Sequence, residues 1–535
     1  MAFHNDECGC HRAVLWILFN HLFRGYREPN LYSEVGSSKS YDFRLRSENP
    51  GKRDRIIIIA GSGGGTRAAL FTQSGIAGLQ RLGVLQDAKL VSGVSGGGVA
   101  LGYFASHREK LIGANPDVGG PWKEFSDAMS HDYIIDVLRG ASEFRISKQS
   151  FIGTLLAESL ERQFFARSTA ALSTTQTGAT KESGRSESPE ELPIGVIFNS
   201  TLVGAALGTP SKGEDDDAVW HRLSNPALAS SADVGSRVVY TNLNQASTFF
   251  PKPKYPLGPG DYFNFEVVPI FPKQLTKALA LNANFPPVFP NAPVDVKTGN
   301  TTYQRLWVTD GGALENKGVI ALLYTLLKTV ERERQSLSDP NEQKDAIMLP
   351  DVSIVVFDAS AGSVRYKHDQ GLSAALGAPT RLANQLALEL QNQLIANYAS
   401  LHNELPAEIR GSNPPKIELY EIPMPSCLRI DGGIGTHWML PDTVTVSNSE
   451  AKPGEPKNVL LSGKTVRALI EDLHRDEGQQ LTFPKSSKFA AEYKSIEKDL
   501  SAVWSWIMQD PIFEKRGHQD RWNALRASLA TPVSN

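Results

Sequence analysis

Cysteine is scarce in this chain. Three residues in 535 (Cys8, Cys10 and Cys427) are too few for a disulfide framework and point to a reducing compartment. Excess charge of either sign is also missing. The 55 Lys and Arg against 58 Asp and Glu give a formal net charge of −3, which leaves no electrostatic footprint for nucleic acid. No run reaches the roughly 18–20 apolar residues of a membrane-spanning helix. The nearest, "AVLWILFNHLF" from Ala13 to Phe23, is interrupted by Asn20 and His21. As a signal peptide it is poor, because Asp6 and Glu7 sit in its leader and no small-residue cleavage site follows. A second cysteine pair is lacking too, so His4, Cys8, Cys10 and His11 make a weak metal set. Neither a metal nor another cofactor is expected.

What is present is an ordinary globular composition, 41% hydrophobic and 21% charged, long enough for a sizeable core. The Ala13–Phe23 segment has two readings. One is an interfacial helix, with Trp16 and Phe19 among lipid headgroups and Arg12, Arg24 and Arg27 alongside. The other is a helix docked on the protein's own surface. Neither implies export, so the expected location is cytoplasmic, with peripheral membrane contact under the first reading.

Residues 1–50 read as an N-terminal segment, 51–450 as the main domain and 451–535 as a helical region packed on it. A Ser/Thr-rich insertion over about 167–191 has little to bury. The chain alternates strands and helices. "RIIIIA", "AKLVSGVS", "LPIGVIFNSTLVG", "QRLWVT", "VSIVVFDAS" and "KIELYEIP" read as strands, several continuously apolar as parallel strands covered on both faces are. Leu70, Ile76 or Ala77, and Leu79 form a helical stripe after the first strand, and Leu382, Leu386, Leu390, Leu394 and Leu401 form another. This pattern predicts an α/β fold, a three-layer sandwich around a mostly parallel sheet.

"GSGGGTRAAL", Gly61 to Leu70, places four glycines in five positions between a strand and a helix. That spends backbone entropy a plain turn would not need. No Lys-Ser or Lys-Thr follows, which excludes a Walker loop. The dinucleotide fingerprint fits only with Ala68 for its last glycine, and Asp87 precedes a strand where the ribose-binding acid should end one. About one βαβ unit later, Gly93-Val94-Ser95-Gly96-Gly97 fits G-x-S-x-G between a strand and an apolar helix. There a serine sits on a strained elbow with its hydroxyl exposed. The loop and the elbow should share one sheet edge, so backbone NH groups of the loop face an oxyanion formed at Ser95.

With Asp310-Gly311-Gly312 downstream, the chain resembles the patatin-like and cytosolic phospholipase A2-like acyl hydrolases. Their G-G-G-x-[RK] loop corresponds to Gly63–Arg67, and "PIGVIFNSTLV" and "LTKALALNANFPPVFP" are similar to accessory segments of that family. The resemblance covers roughly residues 55–318. Ala68 stands where patatins proper place glycine, closer to the cytosolic phospholipase A2 and fungal lysophospholipase variant.

The resemblance implies a Ser–Asp dyad in which Ser95 attacks an ester and Asp310 takes the proton. It further implies an oxyanion site from Gly63, Gly64, Gly65 and Gly96, and an Arg67 that supports the loop or meets a lipid phosphate. The implied substrate is a phospholipid or lysophospholipid. Three alternatives stand beside this: Asp431 of "RIDGGIGTHW" as the acid, a Ser95–Asp358–His437 triad, and an inactive lipid-binding protein on the same fold.

Overall fold

The computed structural model describes residues 31–35, 41–47, 52–142, 152–165, 191–225, 236–244, 249–250, 265–285, 289, 291–299, 301–337, 348–359, 371–410, 413–424, 443–447, 458–462, 466–467, 470–471, 473–474 and 518–530. Its centre is a ten-stranded mixed sheet flanked by helices. Five strands make the parallel heart, in the order β10 (Ile417–Pro423), β9 (Asp351–Asp358), β2 (Arg55–Gly61), β3 (Ala88–Gly93) and β4 (Gly195–Gly208). Further along β4, past the end of β3, β8 (Thr302–Asp310) pairs antiparallel with it, β7 (Ala292–Thr298) pairs antiparallel with β8, and β1 (Leu31–Val35) pairs parallel with β7. β5 (Arg237–Thr241) pairs antiparallel with β4 and carries β6 (Phe265–Pro269) parallel to itself.

Strand alternation splits the apolar residues of β2 between two cores. Ile57 and Ile59 face the helices α1 (Gly65–Arg81) and α2 (Ser95–Ile112), whereas Ile56, Ile58 and Ala60 face α8 (Val319–Leu337) and α9 (Gly371–Glu404). This is the three-layer arrangement that the continuous apolar runs predict. The other helices on the described chain are α3 (Pro121–Met129), α4 (Tyr133–Ser142), α5 (Ile152–Phe165), α6 (Asp216–Leu223), α7 (Leu275–Asn282), α10 (Ala407–Arg410) and α11 (His518–Ala530). None of the described helices is long and apolar enough to cross a membrane.

Two features depart from the sequence-based expectation. The apolar stripe on α1 is not a stripe, because every residue from Gly65 to Leu79 is buried. Gly78 explains part of this: a side chain there would stand 2.8 Å from His474 Cβ and from the Trp522 ring, so C-terminal residues close over the face a surface helix would leave wet. The stretch 451–535 also contains a strand, β12 (Asn458–Ser462), paired antiparallel with β11 (Thr443–Ser447). Residues 1–30, most of the insertion, and Trp504, Trp506, Ile507 and Met508 lie outside the described residues.

Candidate active site

β2 and β3 end level with one another, Gly61 beside Gly93. The glycine loop and the serine elbow therefore leave the sheet side by side. Backbone bonds stitch them together, from Val94 N to the Gly61 carbonyl at 3.0 Å and from Gly97 N to the Ser62 carbonyl at 3.1 Å. The approach leaves no room for side chains: a Cβ on Gly96 would collide with the Gly65 carbonyl oxygen. In the loop, Gly64 at φ 141° and Gly65 at φ 63° take conformations that other residues rarely adopt.

Ser95 is the only described non-glycine residue with positive φ, at 50°. Such strain persists only where the surroundings over-determine it. Here Asn282, fully buried at the end of α7, donates its amide to the Ser95 carbonyl at 3.1 Å. Val94, directly before the serine, is extended, and Ser95 opens α2.

Asp310 arrives from the opposite direction. On one edge of β4, residues 195–198 pair with β3 and residues 200–208 with β8. β5 occupies the other edge. The parallel β3 and the antiparallel β8 thus meet head-on, and Asp310 ends β8 where Ser95 follows β3. Three hydrogen bonds fix Asp310. Its NH donates to the Asn284 carbonyl at 3.0 Å, its carbonyl accepts from Thr201 Oγ1 at 3.0 Å, and its Oδ1 accepts from Gly312 N at 2.6 Å. Burial pushes the carboxyl up to about 6, against the lowering pull of the Gly312 NH and the Ser95 hydroxyl. Oδ2 is buried with no partner of ordinary hydrogen-bond geometry.

Among the four glycines expected to line an anion site, Gly63 differs from the others. Its NH already donates to the Asn316 carbonyl at 2.8 Å. The NH groups of Gly64, Gly65 and Gly96 engage no acceptor among the described residues. They belong to the first turns of α1 and α2, where backbone donors lack intrahelical partners. Both helices also favour negative charge at these ends.

Arg67 is buried at 4% exposure and donates Nη2 to the Ala359 carbonyl at 3.3 Å. Ala359 N in turn donates to Ser62 Oγ at 2.7 Å. Arg67 is thus a strut between the loop and the end of β9. Asp358, the acid of the alternative triad, has Lys317 Nζ at 3.3 Å. His437 and Asp431 lie outside the described residues. The sequence reading missed Asn282, Asn284 and Asn316. Buried asparagines in an apolar stretch such as "ALALNANFPP" were the available signal, since a buried amide must find partners.

No protein-family model matches the sequence, and no curated protein does. Among solved structures, the chain is similar to human GIVD cytosolic phospholipase A2, at 11% identity over 67% of this chain and 50% of that one, with a TM-score of 0.23. This chain thus matches only half the length of that protein. It is similar as well to VipD from Legionella pneumophila, at 10% identity over 93% of this chain and 86% of that one, with a TM-score of 0.19.

Proposed function

We propose that this chain is a serine acyl hydrolase that cleaves fatty-acyl esters of phospholipids or lysophospholipids through Ser95 and Asp310. One observation carries the reading. A strained serine opens a helix beside three backbone NH groups that engage no acceptor among the described residues, and its hydroxyl lowers the pKa of a buried carboxyl. The lipid substrate is what the resemblance to patatin-like and cytosolic phospholipase A2-like acyl hydrolases implies, a resemblance carried by the loop, the elbow and the later Asp-Gly-Gly.

Ser95 Oγ bonds to the ester carbonyl carbon as its proton passes to Asp310. The carbonyl electrons move onto oxygen, where the NH groups of Gly64, Gly65 and Gly96 hold the charge. Collapse breaks the bond to the alcohol, which leaves with the proton from Asp310. Water then attacks the acyl-enzyme, giving its proton to Asp310, and the fatty acid departs as that proton returns to Ser95. A carboxyl that ionises near 6 is charged at neutral pH yet basic enough to take a proton in the transition state. Asp358, the acid of the alternative triad, is engaged by Lys317. Under this reading residues 13–23 make the peripheral contact with the lipid surface.

The test is product analysis on a panel of phospholipids, lysophospholipids and neutral glycerides, with Ser95→Ala as control. Release of fatty acid from the phospholipids, lost in the variant, is the expected result. No hydrolysis of any ester in the panel would refute the proposal.

A further inference from the structure

Asn316 lies between the two loops that the hydrolase reading brings together, and it holds one glycine at both its polar groups. Its main-chain carbonyl accepts from Gly63 N at 2.8 Å, and its side-chain Nδ2 donates to the Gly63 carbonyl at 3.4 Å. Its Oδ1 fills the space where a side chain of Gly63 would stand, and lies 2.8 Å from where a Cβ of Gly312 would stand. The residue is therefore wedged between the glycine loop and the turn that bonds Asp310.

The segment that carries Asn316 is itself anchored. The buried Glu315 carboxylate caps α8, accepting from Val319 N at 2.7 Å and Ile320 N at 3.3 Å. The Gly318 carbonyl accepts from Ser92 Oγ, on β3, at 2.5 Å. Asn316 can thus act as a fixed point against which the glycine loop is set.

The Gly63 carbonyl and the Gly64 NH belong to one peptide unit, which is planar and trans. They must point in opposite directions. A donor that holds the Gly63 carbonyl toward Asn316 therefore turns the Gly64 NH away from it. The Gly63 carbonyl also accepts from Ser62 Oγ at 3.3 Å, so loss of the Asn316 donor leaves a single side-chain hydrogen bond on this unit, whose neighbour Gly64 at φ 141° has no Cβ to restrict rotation.

We propose that the Asn316 side chain is a positioning residue, a peptide lock that aims the Gly64 NH at the oxyanion formed on Ser95. This rests on the serine-hydrolase reading. Asn316 touches no reacting atom; it acts through the Gly63–Gly64 peptide.

The experiment compares the full-length protein with Asn316→Ala and with Asn316→Asp, which keeps the shape but removes the donor. The substrate is a short soluble ester. The inhibitors are a fatty trifluoromethyl ketone, which adds Ser95 to form an anionic adduct, and the matching alcohol, which does not. The lock predicts that kcat falls by about 10- to 10³-fold, the upper end being the loss of a whole oxyanion donor, while KM stays within about twofold. Ketone affinity should fall by the same factor as kcat/KM, and alcohol affinity should hold. Asn316→Asp should lose at least as much as Asn316→Ala, since a carboxylate repels the Gly63 carbonyl. It decides the matter alone if the alanine variant does not fold. Unchanged kcat, or equal weakening of ketone and alcohol, would overturn the lock. Failure of the wild-type protein to form any ketone adduct at Ser95 would instead overturn the hydrolase reading.

Discussion

The hydroxyl of Ser95 lowers the pKa of the buried Asp310 carboxyl, although Ser95 follows one strand and Asp310 ends another of opposite direction. β4 makes this possible. Phe198 stands beside Gly93 of β3, and two residues further along Ser200 stands beside Asp310 of β8. A parallel and an antiparallel neighbour share one edge of one strand, so their C-terminal ends converge. The relationship is set by sheet topology, which is why residues so distant in sequence form a unit.

If the pair works as proposed, removing the base is far more damaging than changing a bystander. Asp310→Asn should lower kcat by about 10²- to 10⁴-fold, the usual range for a positioned general base. Asp431→Asn and His437→Gln should stay within about tenfold, roughly 1.4 kcal/mol of barrier. Steady-state kinetics on one soluble ester checks all three. A His437→Gln loss as large as that of Asp310→Asn would replace the dyad with a triad.

The pH dependence follows from burial. Asp310 must be ionised to accept a proton, and its carboxyl ionises near 6. The log of kcat/KM should therefore rise with unit slope up to about pH 6 and level off above it. Stability should show the opposite sign. The folded pKa is raised, so the folded chain binds this proton more tightly than the unfolded chain, whose value is near 3.8. The contribution is neutral below pH 3.8, and stability is lost as pH rises from there to about 6. Above that the cost of the buried charge is on the order of 3 kcal/mol. Asp310→Asn should accordingly melt higher than wild type at pH 7, and by less at pH 4.

A buried ion pair away from the site offers a separate test of packing. Arg305 on β8 and Asp295 on β7 meet at 2.6 Å, at 0% and 1% exposure. Burial raises the Asp295 carboxyl against the pull of Arg305. Asp295→Ala would strand the guanidinium and should destabilise the fold by about 3–5 kcal/mol. Replacing both partners by apolar residues should cost much less. Denaturant unfolding of the single and double variants measures the difference.

Residues 13–23 carry the membrane half of the proposal. Deleting residues 1–30 should leave hydrolysis of a short soluble ester within about twofold, yet weaken binding and turnover on phospholipid vesicles. An interfacial helix of this length contributes a few kcal/mol of reversible attachment. Equal loss of both activities, or precipitation of the truncated chain, would place the segment in the core.

The parts of the fold that were legible in the sequence share a cause. "RIIIIA", "LPIGVIFNSTLVG" and "VSIVVFDAS" became β2, β4 and β9, because strands covered on both faces must be apolar throughout. β1, β5, β6 and β7 do not stand out as strands in the sequence. They are short or carry polar residues, and the pattern of "APVDVKT" is broken by the inward Asp295, which its ion pair with Arg305 permits. α6 does not stand out in the sequence, although Asp215 caps it and Asp216 and Asp217 fill its first turn. Only Val219 and Leu223 are buried there, so it offers too little apolar periodicity to register. At the site, glycine spacing and the elbow mark the loop and Ser95 in one dimension. Asn282 and Asn316 act through main-chain atoms of distant residues, a relationship no local pattern encodes.

The most direct test of the central claim is to find which residue a fluorophosphonate modifies. The full-length protein is labelled at neutral pH, digested, and the adduct located by mass spectrometry. A single adduct at Ser95, formed more slowly in Asp310→Asn and absent in Ser95→Ala that still melts cooperatively, is the result this account predicts. An adduct on another serine, or undiminished labelling of Ser95→Ala, would contradict it.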